Sequence, residues 1–158
     1  MVDQSGIIRR IAFEWLQEMV DIHGDVLSRT LLSRGFDYNG IRVPLVAPNG
    51  IFKPQLLTDA PLTITTAPDG PYKDSFSKDG LLWYKYRGMD PSHRDNVGLR
   101  NAMKGKIPLI YLFGLAPGRY LAAWPVFIVG DDKKALTFTV AVDDPLALNK
   151  ALEGDSLF

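Results

Sequence analysis

Aromatic rings, an acid and several cations lie close together in residues 72–101 of this 158-residue chain. Aromatic faces can stack on a flat base, a carboxylate can accept hydrogen bonds from an exocyclic amine, and arginine or lysine can bind phosphates. Tyr72 and Asp74 stand two residues apart in a predicted loop, and Tyr84 and Tyr86 lie on a predicted strand. This combination is typical of a pocket for a nucleic-acid base.

The two strand tyrosines have a second interpretation. Tyr84 and Tyr86 alternate with Trp83 and Lys85, so one pair of side chains faces inward and the other faces outward. Tyrosines in such a pattern are most often core or cross-strand packing residues. The sequence therefore leaves open whether these two rings line a base pocket or the core.

Charge is unevenly distributed along the chain, although 18 basic and 18 acidic side chains cancel overall. Residues 71–106 carry 8 basic and 4 acidic side chains, whereas the segments on either side are net acidic. The positive charge thus coincides with the aromatic segment. A local patch of this kind predicts modest, salt-sensitive binding to nucleic acid, although solubilising a loop explains the charge alone equally well.

Motifs that indicate an enzyme are missing from the sequence. No P-loop, GxGxxG or GxSxG pattern occurs, and there is no cysteine for a thiolate zinc site. The tripeptide HRD at residues 93–95 matches a kinase catalytic loop, but Arg100 stands where that loop needs asparagine. Residues 131–134 have the acid-x-lysine spacing of restriction nucleases, and a hairpin turn explains them better. The sequence predicts no catalytic residue, no metal site and no cofactor.

These candidate residues must be positioned by a fold made mostly of strands. Apolar residues recur every three or four positions over residues 4–23, which predicts a helix ending at Gly24, and a shorter helix is predicted over residues 26–33. Strands follow, separated by turn residues, and a helix over residues 96–103 with Asn96 as its N-cap interrupts them. The predicted strands span residues 41–46, 50–53, 62–66, 81–87, 107–115, 120–129 and 136–142.

Six or seven strands without regular strand–helix alternation predict an α+β fold built on a curved β-barrel. Residues 1–35 are expected to form an N-terminal helical segment packed on the barrel, and residues 36–158 to form one compact domain. Residues 143–158 are expected to form a short helix and an exposed end, and a chain that stops there could be a piece of a longer protein. The sequence has neither a signal-peptide pattern nor an apolar run of membrane-spanning length, which predicts a cytoplasmic protein without a membrane partner.

The chain resembles the SRA domain, the SET-and-RING-associated reader of modified cytosine in DNA. The resemblance is carried by Tyr72-Lys73-Asp74, by YKYRG at residues 84–88 and by residues 96–101. The downstream run IPLIYLFGLAPGRYLAAWPVFIVGDD, followed by LTFTVAVDD, is similar to the SRA-like N-terminal domains that bacteria fuse to HNH endonucleases. The resemblance covers residues 44–144, about two thirds of the chain.

The resemblance implies a PUA-like barrel that swings a modified cytosine out of duplex DNA into a pocket. Tyr72 and Tyr86 would stack on the base, and Asp74 would accept a hydrogen bond from its amine. Asp79 or Tyr84 could hold these roles instead. The full set of base-pocket candidates is Tyr72, Asp74, Phe76, Tyr84 and Tyr86. The candidates for contacts to the DNA backbone are Lys85, Arg87, His93, Arg94, Arg100 and Lys104.

The implied function is that of a non-catalytic specificity domain of a modification-dependent HNH restriction endonuclease. Its partner would be double-stranded DNA carrying 5-methyl- or 5-hydroxymethylcytosine. The nuclease centre would lie in a longer parent protein, because neither His23 nor His93 has the context of an HNH motif. A homodimer through the N-terminal helices is a further expectation. The alternatives are a PUA-like domain that binds RNA or a small ligand, and a structural interaction domain whose aromatic residues form the core.

Overall fold

The computed structural model of the chain describes residues 4–68, 75–76 and 80–142. Tyr72, Asp74, Asp79 and the helix predicted after residue 142 lie outside the described residues. The described elements, in chain order, are α1 (Gln4–His23), β1 (Val26–Ser28), α2 (Arg29–Arg34), β2 (Phe36–Tyr38), β3 (Ile41–Val43), β4 (Ile51–Phe52), β5 (Thr63–Thr66), β6 (Ser75–Phe76), β7 (Leu81–Lys85), α3 (Arg94–Gly105), β8 (Leu109–Ala116), β9 (Arg119–Asp132) and β10 (Thr137–Val142).

Helix α1 follows from its apolar spacing and has the predicted bounds. Ile8, Ala12 and Leu16 recur every four residues and are fully buried on one stripe of the helix. The helix ends where Gly24 adopts a φ of 89° and donates its N–H to the carbonyl of Val20 at 2.8 Å. A left-handed residue after the last turn is favourable for glycine, which has no Cβ to clash.

The prediction of the second helix is wrong for its first three residues. Residues 26–28 form strand β1, in which Leu27 is buried and pairs with Tyr120 of β9. The hydroxyl of Ser28 then accepts the N–H of Leu31 at 3.1 Å, so this serine is the N-cap of α2. Pairing with a distant strand outweighs the helical spacing of so short a segment.

Eight of the described strands form one curved sheet, in which β4-β5-β8-β9-β10-β7-β6 lie in that order and β1 pairs with the first residues of β9. Strands β2 and β3 form a separate antiparallel pair. The pairs are antiparallel except β5 with β8, which are parallel. Within the described ranges the sheet curls into a half-barrel beside the N-terminal helix, so the predicted α+β fold with a curved sheet is confirmed.

The two faces of the sheet bury two different cores. Alternate side chains of β8 point to opposite faces of the sheet. Leu109 and Tyr111 belong to an inner core that also contains residues of β4, β7 and α3. Ile110 and Leu112 join an outer core with α1, α2 and β2. Because strands near both ends of the sheet contribute to the inner core, that core lies inside the curl. Helix α3 covers it, and α1 covers the outer face of β8 and the first half of β9.

Arg9 connects α1 to the segment before β5. Its guanidinium is 2% exposed, pairs with Asp59 at 2.8 Å, and donates to the carbonyls of Pro61 at 2.8 Å and Pro108 at 3.1 Å. Partial burial acts to raise the pKa of Asp59, but the hydrogen bond and the charge of Arg9 lower it overall. The pair therefore stabilises the fold most when Asp59 is ionised.

We expect Arg9→Met to lower the free energy of unfolding by about 3 kcal/mol, because it leaves Asp59 and three backbone carbonyls, including that of Ala60, without their donor. The pKa of Asp59 is lowered in the folded state, so its contribution is complete above the ordinary pKa of aspartate, 3.8, and is lost as the pH falls through the lower folded value. Urea unfolding at pH 7 and pH 3 should show a smaller loss of stability on acidification in Arg9→Met than in the unsubstituted protein. An equal loss in both would contradict this role of the pair.

Candidate nucleic-acid interface

Tyr86, Arg100 and Asp131 form a buried polar cluster beneath α3. The hydroxyl of Tyr86 donates to one carboxylate oxygen of Asp131, and Nε of Arg100 donates to the other at 2.7 Å. Arg100 also reaches the Tyr86 hydroxyl at 3.4 Å and the carbonyl of Pro91 at 3.3 Å. The ring of Tyr86 packs on Phe138, with 4.6 Å between the ring centroids.

The cluster balances its own charge. Burial raises the pKa of Tyr86, and the hydrogen bond to Asp131 raises it further. Burial acts to raise the pKa of Asp131 as well, but the hydrogen bonds from Tyr86 and Arg100 lower it overall. The hydrogen bond to Asp131 raises the pKa of Arg100. At neutral pH the tyrosine is therefore neutral, and the arginine is neutralised by the carboxylate beside it.

This arrangement corrects the prediction that Arg100 binds the DNA backbone. Its side chain is 16% exposed and makes its ion pair inside the protein. Moving the guanidinium to a phosphate would leave Asp131 buried without a counter-charge, which is costly. Arg100 therefore holds α3 against β9.

The strand tyrosines are also corrected, from pocket residues to core residues. Tyr86 is 1% exposed and Tyr84 is 4% exposed, so neither ring has a free face on which a base could stack. The hydroxyl of Tyr84 donates to the carbonyl of Thr65 at 2.9 Å, which links β7 to β5 across the inside of the curl. The alternation pattern allowed either a base pocket or core packing for these two tyrosines, and their burial agrees with core packing. Phe76 belongs to β6, where its backbone pairs with Leu82.

Of the residues predicted to contact the DNA backbone, the cations that remain at the surface lie at the end of β7, just after it, and on α3. Lys85 is exposed at the end of β7, with Nζ 3.3 Å from the hydroxyl of Thr137. Arg87 follows two residues later and pairs with Asp95 at 2.6 Å, while 38% of its side chain stays exposed. The ion pair joins the end of this strand region to the first turn of α3.

The outward face of α3 is basic. Asn96, Leu99 and Ala102 are buried on its inner face, whereas Arg94 and Lys104 are exposed on the opposite side. The Arg94 side chain is 83% exposed, and its Nε lies 3.7 Å from Asp95. We call four cations the basic band, which consists of Lys85 at the end of β7, the partly exposed Arg87 in the segment that follows, and Arg94 and Lys104 on α3.

Helix α3 begins two residues before the predicted start, and its N-cap is His93. The Nδ1 atom of His93 accepts the N–H of Asp95 at 3.1 Å, so this imidazole is engaged in capping while 36% of its side chain remains exposed. Asn96, the predicted N-cap, is buried and bonds both backbone polar groups of Arg87 and the carbonyl of Asp90. It closes the loop between β7 and α3 and thereby fixes Arg87.

The role of Asp131 is not evident from the sequence. Residues 130–132 were predicted to be a turn, but β9 continues through them to Asp132 after a bulge opposite Thr139 and Val140. The strand thereby carries Asp131 to α3, and the turn falls at residues 133–136 instead. The local sequence carries no signal for this placement, since glycine followed by two aspartates is typical of a turn.

A shallow groove of about 380 Å³ lies elsewhere on the molecule, between β3 and the segment after β4. Its lining is mostly apolar and consists of Ile41, Arg42, Val43, Pro44, Phe52, Pro54, Gln55 and Leu56. None of these residues belongs to the predicted base pocket or to the basic band. The groove is therefore separate from the candidate interface.

Residues 4–68, 75–76 and 80–142 contain no group of three or more histidine or acidic side chains arranged to hold a metal ion. Over the same residues, no helix combines the length and the apolar character needed to span a membrane.

The chain aligns in part with two solved structures of SRA domains bound to methylated DNA. The SUVH5 SRA domain in complex with fully methylated CG DNA is 16% identical to this chain, covers 61% of it and 75% of its own chain, and has a TM-score of 0.44. The SUVH5 SRA domain in complex with methylated CHH DNA is 19% identical, with 69% of this chain and 84% of that chain covered and a TM-score of 0.44. No protein-family model matches this chain, and no curated protein matches it.

Proposed function

We propose that this chain is a non-catalytic DNA-reading module that binds duplex DNA and flips a C5-modified cytosine out of the helix. The observation that carries the proposal is the basic band, in which the ion pair of Arg87 with Asp95 joins the cations at the end of β7 to those of α3. The segment with Tyr72 and Asp74 leads directly into β6, the strand paired with β7. An aromatic ring and an acid thus precede, along the chain, the strands that carry the cations.

The basic band suits a phosphate backbone in its dimensions. Arg94 and Lys104 are ten residues apart on α3, which corresponds to about 15 Å along the helix axis. Successive phosphates of one strand advance by about 3.4 Å along the duplex axis, so this length matches about four base-pair steps. Contacts of this kind position a protein on DNA without reading its sequence.

Reading of the base is assigned to the residues before β6. In the proposal, Tyr72 stacks on the extruded cytosine and Asp74 accepts a hydrogen bond from its amine. Phe76 is retained as a pocket-wall candidate, since Tyr84 and Tyr86 belong to the core. Extruding a base costs a few kcal/mol, and stacking on one ring returns about 1–3 kcal/mol, so phosphate contacts must supply the remainder.

The proposal extends to the parent protein. SRA-like domains that bacteria fuse to HNH endonucleases are similar to residues 107–144, and we infer the same context for this chain. It would then be the specificity domain, with the nuclease in another part of a longer protein. The proposal includes a homodimer through the N-terminal helices, because cleavage of both DNA strands favours two-fold symmetry.

Removing two cations of the basic band should weaken binding to every duplex alike. The slope of log affinity against log salt is negative, and we expect the double variant Arg94→Ala/Lys104→Ala to reduce its magnitude by about 2, since each neutralised phosphate contributes about one unit. The ratio of affinities for modified and unmodified DNA should stay the same. Titrations between 50 and 200 mM salt measure both quantities, and an unchanged slope would exclude these two residues from the interface.

The function itself is tested by fluorescence anisotropy with three duplexes of one sequence. One duplex is unmodified, one carries 5-methylcytosine and one carries 5-hydroxymethylcytosine at the same position. The proposal predicts tighter binding to one of the modified duplexes. Equal and weak binding to all three would instead favour an RNA-binding, ligand-binding or structural role.

A further inference from the structure

We propose that the hairpin between β9 and β10 is a second phosphate-contacting element, which acts through Lys133 and Lys134. This inference rests on the proposed function and extends its interface beyond the basic band. Both lysines are exposed in the turn between Asp132 and Thr137. The charge of Lys133 contributes to the lowered pKa of Asp131, after the hydrogen bonds from Tyr86 and Arg100. Within the described part of the chain, neither lysine is within salt-bridge distance of a carboxylate.

The hairpin lies beside the basic band. Thr137, the first residue of β10, pairs with Lys85 of β7, and its hydroxyl is 3.3 Å from the ammonium of that lysine. The carbonyl of Leu136 accepts the N–H of Tyr86 at 2.8 Å. The turn therefore projects past the end of β7, next to the position from which Arg87 continues toward α3. Cations from three separate segments of the chain thus converge on one region.

The hairpin is also held in a fixed position relative to α3. The carboxylate of Asp132 accepts the backbone N–H groups of Lys134 at 3.0 Å and Ala135 at 3.1 Å, which fixes the turn. One residue earlier, Asp131 pairs with Arg100 of α3. An element that is ordered before binding loses less conformational entropy when it contacts a ligand. The two lysines would thus reach phosphates without an ordering cost for the turn.

Two exposed lysines in a turn could instead serve only solubility, and a matched control separates the two roles. The opposite end of β9 carries Arg119, and Arg34 ends α2, which follows the β1 strand paired there. Both arginines are exposed. Thirteen residue steps separate Arg119 from Asp132, or about 43 Å along an extended strand. The control variant Arg34→Ala/Arg119→Ala therefore removes the same charge far from the proposed interface.

The experiment measures the salt dependence of binding to the unmodified and the methylated duplex. Lys133→Ala/Lys134→Ala should reduce the magnitude of the slope of log affinity against log salt by about 2. It should leave the preference for methylated DNA unchanged. The control variant should keep the slope of the unsubstituted protein. An unchanged slope in the lysine variant, or an equal change in both variants, would overturn the inference.

The outcomes also separate this inference from the proposed function. If the unsubstituted protein binds both duplexes equally while the lysine variant reduces the magnitude of the slope, the hairpin contacts phosphates and the reading of modified cytosine is wrong. If the methylated duplex is preferred and the slope is unaffected, the function stands and the hairpin is not part of the interface. A protein that binds neither duplex would overturn both.

Discussion

Tyr72→Ala and Asp74→Ala should each abolish the preference for a modified duplex while leaving the melting temperature nearly unchanged. Loss of one stacked ring removes about 1–3 kcal/mol, which corresponds to a factor of roughly 5 to 150 in affinity. Loss of the carboxylate removes the acceptor for the cytosine amine, a group that unmodified and modified cytosine share. Affinity for the modified duplex should therefore fall to that for the unmodified one, because neither base can then be held outside the helix.

Two control variants make this test specific. Tyr72→Phe keeps the ring and should retain most of the preference. Asp37→Ala removes one exposed carboxylate from β2 and should leave binding as it is. A preference that survives both alanine substitutions would refute the assignment of Tyr72 and Asp74. A melting temperature that drops by many degrees would assign them to the core instead.

Asp131→Ala should be the most destabilising single substitution among the charged residues of the candidate interface. It leaves the half-buried Arg100 without its counter-charge and Tyr86 without its acceptor. Breaking a fully buried pair costs about 3–5 kcal/mol, which is the upper bound here because 16% of the Arg100 side chain is exposed. Chemical denaturation measures the free energy of unfolding directly. Asp37→Ala is the control, because its partner Arg42 is 3.5 Å away and both side chains are more than half exposed. An exposed pair of this kind contributes less than about 1 kcal/mol.

A double substitution separates the ion pair from general damage to the core. Asp131→Asn/Arg100→Met removes both charges at similar volume, so it should be more stable than Asp131→Ala alone. A cost below about 1 kcal/mol for Asp131→Ala would show that the cluster does not hold α3. A double variant as unstable as the single one would show that the loss comes from packing around Tyr86 and not from the uncompensated arginine.

The parts of the fold that sequence predicted well are those determined by local pattern. The helix over residues 4–23 follows from a sustained apolar period, and a glycine stops it. The central strands follow from β-branched and aromatic runs between turn residues. Residues 26–28 show the limit of this reasoning, since their helical spacing is overridden by pairing with residues 119–121 of a distant strand.

The candidate site depends more strongly on long-range contacts. Alternation on β7 predicted that Tyr84 and Tyr86 share a face, and it could not tell a pocket from a core. Arg100 was counted as a free cation because its partner, Asp131, lies 31 residues away in a segment with the composition of a turn. Arg94 and Lys104 lie outside the predicted helix over residues 96–103, and it is the longer observed helix, Arg94–Gly105, that places both on its exposed side. Composition alone does not show whether a charged side chain is exposed or is paired with a residue that is distant in the sequence.

The most direct test of cytosine extrusion is the imino proton spectrum of a duplex saturated with the protein. A base-paired guanine gives a protected imino resonance, and the guanine opposite an extruded cytosine loses that protection. With one 5-methylcytosine in the duplex, the proposal predicts that the resonance of its partner guanine disappears on binding while the resonances of more distant pairs persist. A saturated complex in which every imino resonance persists would show that the cytosine stays in the helix, and it would contradict the proposed function.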